Sequence, residues 1–117
     1  MKKIVILHCL RSVSNCTGAA CLKAFNTKNS CFSRYGEEKM ELEAFMACNG
    51  CKELQTGGME GKREKAERIL RIRPDAIHIG VCCRTRAEAQ GRWCPEICGL
   101  AALFQSKGIE IVWGTHS

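Results

Sequence analysis

The chain is short of long apolar runs, prolines, histidines and aromatics. Its first apolar stretch, Ile4-Val5-Ile6-Leu7, is four residues long. No later run reaches the roughly 7–15 residues of a secretory core or the ~20 of a spanning helix. The sequence therefore predicts no membrane association and a cytoplasmic location, where thiols stay reduced. Two prolines, Pro74 and Pro95, exclude a proline-rich linker, and no repeat or low-complexity tract stands out. Seven aromatics interleave poorly with the basic residues, which are themselves spread along the chain. The net charge of +6 is thus not read as a nucleic-acid footprint. No nucleotide motif survives inspection either. Gly57-Gly58-Met59-Glu60-Gly61-Lys62-Arg63 is one residue short of the phosphate-loop spacing, and Arg63 stands where Ser or Thr is required.

Against these scarcities stand ten cysteines in 117 residues. That length suits one domain over 1–117, and 45% apolar content can build an ordinary core without cross-links. In a reducing compartment such an excess points to metal ligation or thiol chemistry. Thiolate ligands would also offset several of the positive charges.

The apolar pattern reads β-α-β-α-β-α-β. Lys3 to Leu7 is a continuously apolar strand, and a helix is expected over about Gly18 to Arg34, with Leu22, Phe25 and Phe32 on one stripe. Met40 to Ala47 alternates, so Met40, Leu42, Ala44 and Met46 should share one face and Glu41 and Glu43 the other. After Gly57-Gly58 a helix runs to about Ile72, its stripe made by Met59, Ala66, Ile69 and Leu70. Lys62 to Arg73 reads as its solvated face. Ala76 to Val81 is a third strand. Pro95 opens a helix ending near Lys107, and Ile109 to Trp113 is a fourth strand. Strands alternating with helices imply right-handed crossovers and a parallel sheet. The continuously apolar strands one and three should be central, and the acidic strands two and four edges. The expected fold class is therefore α/β, a three-layer flavodoxin-like parallel sheet of four strands in the order 2-1-3-4.

On this frame the cysteines converge. Cys9 ends strand one, Cys48 and Cys51 follow strand two, Cys82 and Cys83 end strand three, and His116 follows strand four. Cys16 and Cys21 lie after strand one, and Cys94 and Cys98 at the start of the last helix. Parallel strands present their C-terminal ends to one edge, with neighbours about 4.8 Å apart. Cys48-Asn49-Gly50-Cys51 is a C-x-x-C turn able to grip one metal. It is also the pattern of dithiol redox proteins, so a thiol–disulfide oxidoreductase using Cys48 and Cys51 is the alternative. Cys82 and Cys83 point apart in a strand, so one of them is expected to be core packing. Cys31 is read the same way, far from the edge. His78 lies about 13 Å before Cys82 at roughly 3.3 Å per residue and should make a structural hydrogen bond. His8 is a weaker ligand candidate. His116, at the correct end, is a ligand or an acid–base group.

The ordered set Cys9, Cys16-Thr17-Gly18-Ala19-Ala20-Cys21, Leu22-Lys23-Ala24-Phe25, Arg34-Tyr35-Gly36, Cys48-Asn49-Gly50-Cys51, Ala76-Ile77-His78, Cys82, Cys94-Pro95 and Gly114-Thr115-His116 resembles the CGGC-domain family. These are small bacterial and archaeal proteins regarded as metal binders, often of zinc. Asn49 replaces the first central glycine, Thr17 stands in place of a usual proline, and Cys31, Cys83 and Cys98 are additional. The resemblance implies metal binding and no particular reaction. The inner ligand set is expected to be Cys9, Cys48, Cys51 and Cys82, with Cys16, Cys21, Cys94, Cys98 and His116 available to a larger or second site. Zinc takes four N or S ligands, whereas iron–sulfur clusters take mainly thiolates. Ten cysteines against three histidines favour the cluster. Its role would be electron transfer, with a redox partner protein, or metal and redox sensing. A closed structural zinc module that binds partners is a further alternative.

Overall fold

The computed structural model describes residues 1–10, 16–50, 58–80, 83 and 94–115. It forms a four-stranded, all-parallel sheet in the order β2-β1-β3-β4, as the apolar pattern predicts. The strands are β1 (Lys2–His8), β2 (Met40–Ala47), β3 (Ala76–Ile79) and β4 (Glu110–Val112). Helices α1 (Ala19–Thr27), α2 (Gly58–Ile72) and α3 (Pro95–Ser106) connect them, with a short 3-10 helix over Ser30–Tyr35. Among the described residues no helix is long and apolar enough to cross a membrane.

Ile4, Val5, Ile6 and Leu7 are completely buried, as are Ile77 and Ile79. Burying such a side chain contributes about 1.5–3 kcal/mol, so these two strands must lie inside, covered on both faces. Alternate residues serve alternate layers. Val5, Leu7, Ile77 and Ile79 pack with Ala66 and Ile69 of α2 and with Ile97, Leu100 and Phe104 of α3. Ile4, Ile6, Ala76 and Val112 pack with Cys21 and Ala24 of α1 and with Phe32 of the 3-10 helix. At the N-terminal edge, Asp75 ties three strands together. Its carboxylate accepts from the Lys3 N–H (2.8 Å), and its own N–H donates to the Lys3 carbonyl. Its carbonyl accepts from the Glu110 N–H.

Three sequence expectations are corrected. First, the helix expected over Gly18–Arg34 stops at Thr27. Lys28 closes it in a left-handed conformation (φ 53°), and Ser30 is left-handed again. Thr27 hydroxyl donates to the Lys23 carbonyl, a local bond that competes with helix continuation. The break changes the phase of the stripe, so Cys21 and Ala24 face the core in α1, and Phe32 enters it from the 3-10 helix. Second, β2 does not keep one face. A bulge at Glu43 shifts the register from Ile4↔Leu42 to Val5↔Ala44. Met40 and Leu42 therefore lie on the α1 side, whereas Ala44 and Met46 lie on the α2/α3 side. The extra residue inverts the alternation. Third, Met59 is 75% exposed and contributes nothing to the buried stripe of α2, which is carried by Ala66 and Ile69.

Candidate metal centre

The C-terminal edge of the sheet is assembled by main-chain bonds that run past the strand ends. The Cys48 N–H donates to the His8 carbonyl (3.0 Å), extending the β1–β2 ladder by one residue. The Cys48 sulfur then accepts the Leu10 N–H (3.4 Å). Cys48 is thus bonded to the residues on both sides of Cys9. Gly50, with φ 88°, sits in the left-handed region, where glycine alone is unstrained, as the C-x-x-C turn requires. Lys65 of α2 donates to the Ala47 carbonyl (2.7 Å), bringing a positive charge to the end of β2.

The other side of β1 is closed in the same way. The Gly80 N–H donates to the Leu7 carbonyl, and the Cys83 N–H donates to the Gly80 carbonyl. Cys83 is 1% exposed, and its thiol points at the Leu7 carbonyl (3.9 Å). The Cys94 N–H donates to the Cys83 carbonyl (2.8 Å), which brings the start of α3 to the same place. Cys9, Cys48, Cys83 and Cys94 all border one apolar cluster on the α2/α3 side. Of the sequence-predicted ligands, Cys9, Cys48 and Cys94 therefore lie on the same side of the sheet, against the same apolar cluster. Cys98, in the first turn of α3, is exposed. Cys83, an addition to the family pattern, is buried in the α2/α3-side core four residues beyond the end of β3.

Cys16 and Cys21 belong to the opposite face. Cys16 is exposed, and its sulfur accepts the Gly18 N–H (3.4 Å) just before α1. Cys21 is buried in the α1-side cluster and contacts the Thr115 hydroxyl (3.1 Å). Cys31 is nearer the chain end than expected, since its N–H donates to the Thr115 carbonyl (3.1 Å). The inner candidates Cys51 and Cys82, and His116, lie outside the described residues. Among the described residues no two cysteines are joined by a disulfide, and no three His, Cys, Asp or Glu side chains are arranged around one metal position.

The histidines separate clearly. His78 is fully buried and uses both ring nitrogens. Nδ1–H donates to the Gly114 carbonyl (2.9 Å), and Nε2 accepts the Tyr35 hydroxyl (2.7 Å). A carbonyl can only accept, which fixes this tautomer. Burial, with a smaller push from Arg34, lowers the His78 pKa to about 4, so the ring is neutral. Burial likewise raises Tyr35 to about 12, so its hydroxyl keeps the proton it donates. His78 thus makes the structural hydrogen bonds expected of it. His8 half-faces the Phe45 ring, with centroids 4.8 Å apart.

Neither curated proteins nor solved structures gave a match to the sequence. The family model of the CGGC domain matches residues 3–116. That span holds all ten cysteines and, but for the first residue of β1, every strand and helix described above. The chain therefore belongs to the CGGC domain family, a cysteine-rich family regarded as metal-binding.

Proposed function

We propose that the protein binds a zinc ion or an iron–sulfur cluster at the C-terminal edge of its sheet, in electron transfer or in metal and redox sensing. Cys9, Cys48, Cys51 and Cys82 form the inner ligand set, with Cys94 beside it. The observation that carries this reading is the pair of bonds that tie Cys48 to the main chain of His8 and Leu10, on either side of Cys9. A thiolate-rich donor set suits a cluster or a zinc thiolate site. The histidine supply supports the same choice, because both nitrogens of His78 are already engaged. When bound, the group would supply redox capacity if a cluster, or a rigid closed shell if zinc. The leucine N–H on the Cys48 sulfur and the nearby Lys65 ammonium would then help to hold the negative charge of the thiolates.

Anaerobic purification with metal analysis and a visible spectrum tests the proposal. Stoichiometric metal, falling sharply in Cys9→Ala and Cys48→Ser, is the expected result. Those variants should also lose fold stability, because ligand binding energy is folding energy. A colourless, metal-free, folded protein that cannot be reconstituted with zinc, or with iron and sulfide, would overturn it. Dithiol redox chemistry is not favoured by the geometry. Cys48 is 5% exposed, which suits a ligand better than a thiol that must meet a substrate disulfide.

A further inference from the structure

We propose that Cys21 is a positioning residue and not a metal ligand: it is a hydrogen-bonding strut in a buried chain of contacts that seats Gly114 and Thr115. Three elements converge on those two residues. From α1, the Cys21 sulfur meets the Thr115 hydroxyl at 3.1 Å. From the 3-10 helix, the Cys31 N–H donates to the Thr115 carbonyl. From β3, the His78 ring donates to the Gly114 carbonyl, and is itself held by the Tyr35 hydroxyl. Phe32 stacks on the His78 ring with centroids 4.2 Å apart, which closes the network against the sheet. Cys21 is 6% exposed, Thr115 and His78 are fully buried, and all polar atoms named here have partners in the network.

The face on which this happens decides between strut and ligand. Cys21 shares its cluster with Ile4, Ile6, Ala24 and Phe32, whereas Cys9 and Cys48 border the cluster on the other side of the sheet. A thiol that exchanges a hydrogen bond with a buried hydroxyl is at home among apolar side chains. The network fixes the direction in which the chain leaves Thr115. Its bearing on His116 as a ligand rests on the metal reading above, but the assignment of Cys21 does not.

The test uses Cys21→Ser, Cys21→Ala and Thr115→Val in the full chain, with two readouts. The first is amide hydrogen exchange of the metal-free protein at the Cys31 N–H, which reports the seating of Thr115. A strut requires Thr115→Val and Cys21→Ala to speed this exchange by roughly fivefold, the effect of one lost buried hydrogen bond, and Cys21→Ser to restore most of it. Unchanged exchange in both Thr115→Val and Cys21→Ala overturns the proposal. The second readout is loading with cobalt(II) and the intensity of its thiolate charge-transfer absorption. Cys21→Ser should keep the parent intensity. A loss in Cys21→Ser with none in Thr115→Val makes Cys21 a ligand and overturns the strut. If the parent chain binds no cobalt, the zinc form of the metal reading fails, while the exchange readout still decides the role of Cys21. Should Cys21→Ala not fold, Thr115→Val and Cys21→Ser carry the same comparison.

Discussion

Acid should weaken this fold through one residue, His78. The side chain is completely buried, stacked on Phe32, and bonded at both nitrogens as a neutral ring. Protonating Nε2 would bury a charged ring and oblige the Tyr35 hydroxyl to turn from donor to acceptor. Its pKa in the folded protein is about 4, against an ordinary 6.5. Between those values the unfolded chain binds a proton that the folded chain does not, so stability rises with pH across the window. Moving down from 6.5, the loss approaches about 1.4 kcal/mol per pH unit and sums to roughly 3 kcal/mol by pH 4. Carboxylates also begin to protonate there, so the measurement must be a difference. Urea unfolding of the parent and of His78→Asn at pH 7, 6, 5 and 4 supplies it. The variant should be less stable at pH 7 but should show a flatter dependence, so the two curves converge as pH falls. Parallel curves would refute the reasoning, as would a His78 imidazole resonance titrating near 6.5.

Gly18→Ala should cost about 1–2 kcal/mol, the price of placing a side chain in the left-handed region that Gly18 occupies (φ 77°). The new Cβ would also stand 2.8 Å from the Phe45 ring, but that ring is partly exposed and can swing aside, so the backbone term dominates. Thermal unfolding measures it, and Gly18→Asn should be milder. The Arg34–Glu110 ion pair (2.8 Å) should count for little. Its side chains are 45% and 52% exposed, so a double-mutant cycle should return a coupling below about 1 kcal/mol.

The strand order was legible because composition reports burial directly. Four consecutive apolar residues in β1 can only be covered on both faces, and acidic residues in β2 and β4 can only lie at edges. The placing of Cys9 and Cys48 just past the ends of neighbouring strands followed from parallel topology without any knowledge of side-chain contacts. The faces did not follow. Alternation in Met40–Ala47 is compatible with a regular strand and with a bulged one, because Glu43 is polar in either case. The stop at Thr27 was hidden for a similar reason: Lys28 and Ser30 adopt left-handed conformations with no glycine to announce them. For Cys82 and Cys83 the sequence said only that one of the two should pack, and the structure buries Cys83. Its bonds to the chain ends of β1 and α3 depend on tertiary register, which no local pattern encodes. Cys51, Cys82 and His116 remain assigned by their positions in the sequence.

The bulge at Glu43 gives the site a parity. Cys48 sits five residues beyond it, an odd count that places the thiol on the α2/α3 face in step with Ala44 and Met46. Met40 and Leu42, before the bulge, keep step with the α1 face. One residue therefore lets a single edge strand furnish two different cores and deliver its cysteine to the second. Inserting one more residue between Ala47 and Cys48 would leave Ala44 and Met46 where they are and turn the thiol out of its own cluster, toward the layer that holds Cys21. For anyone transplanting this C-x-x-C turn onto another parallel sheet, the strand length modulo two matters as much as the motif.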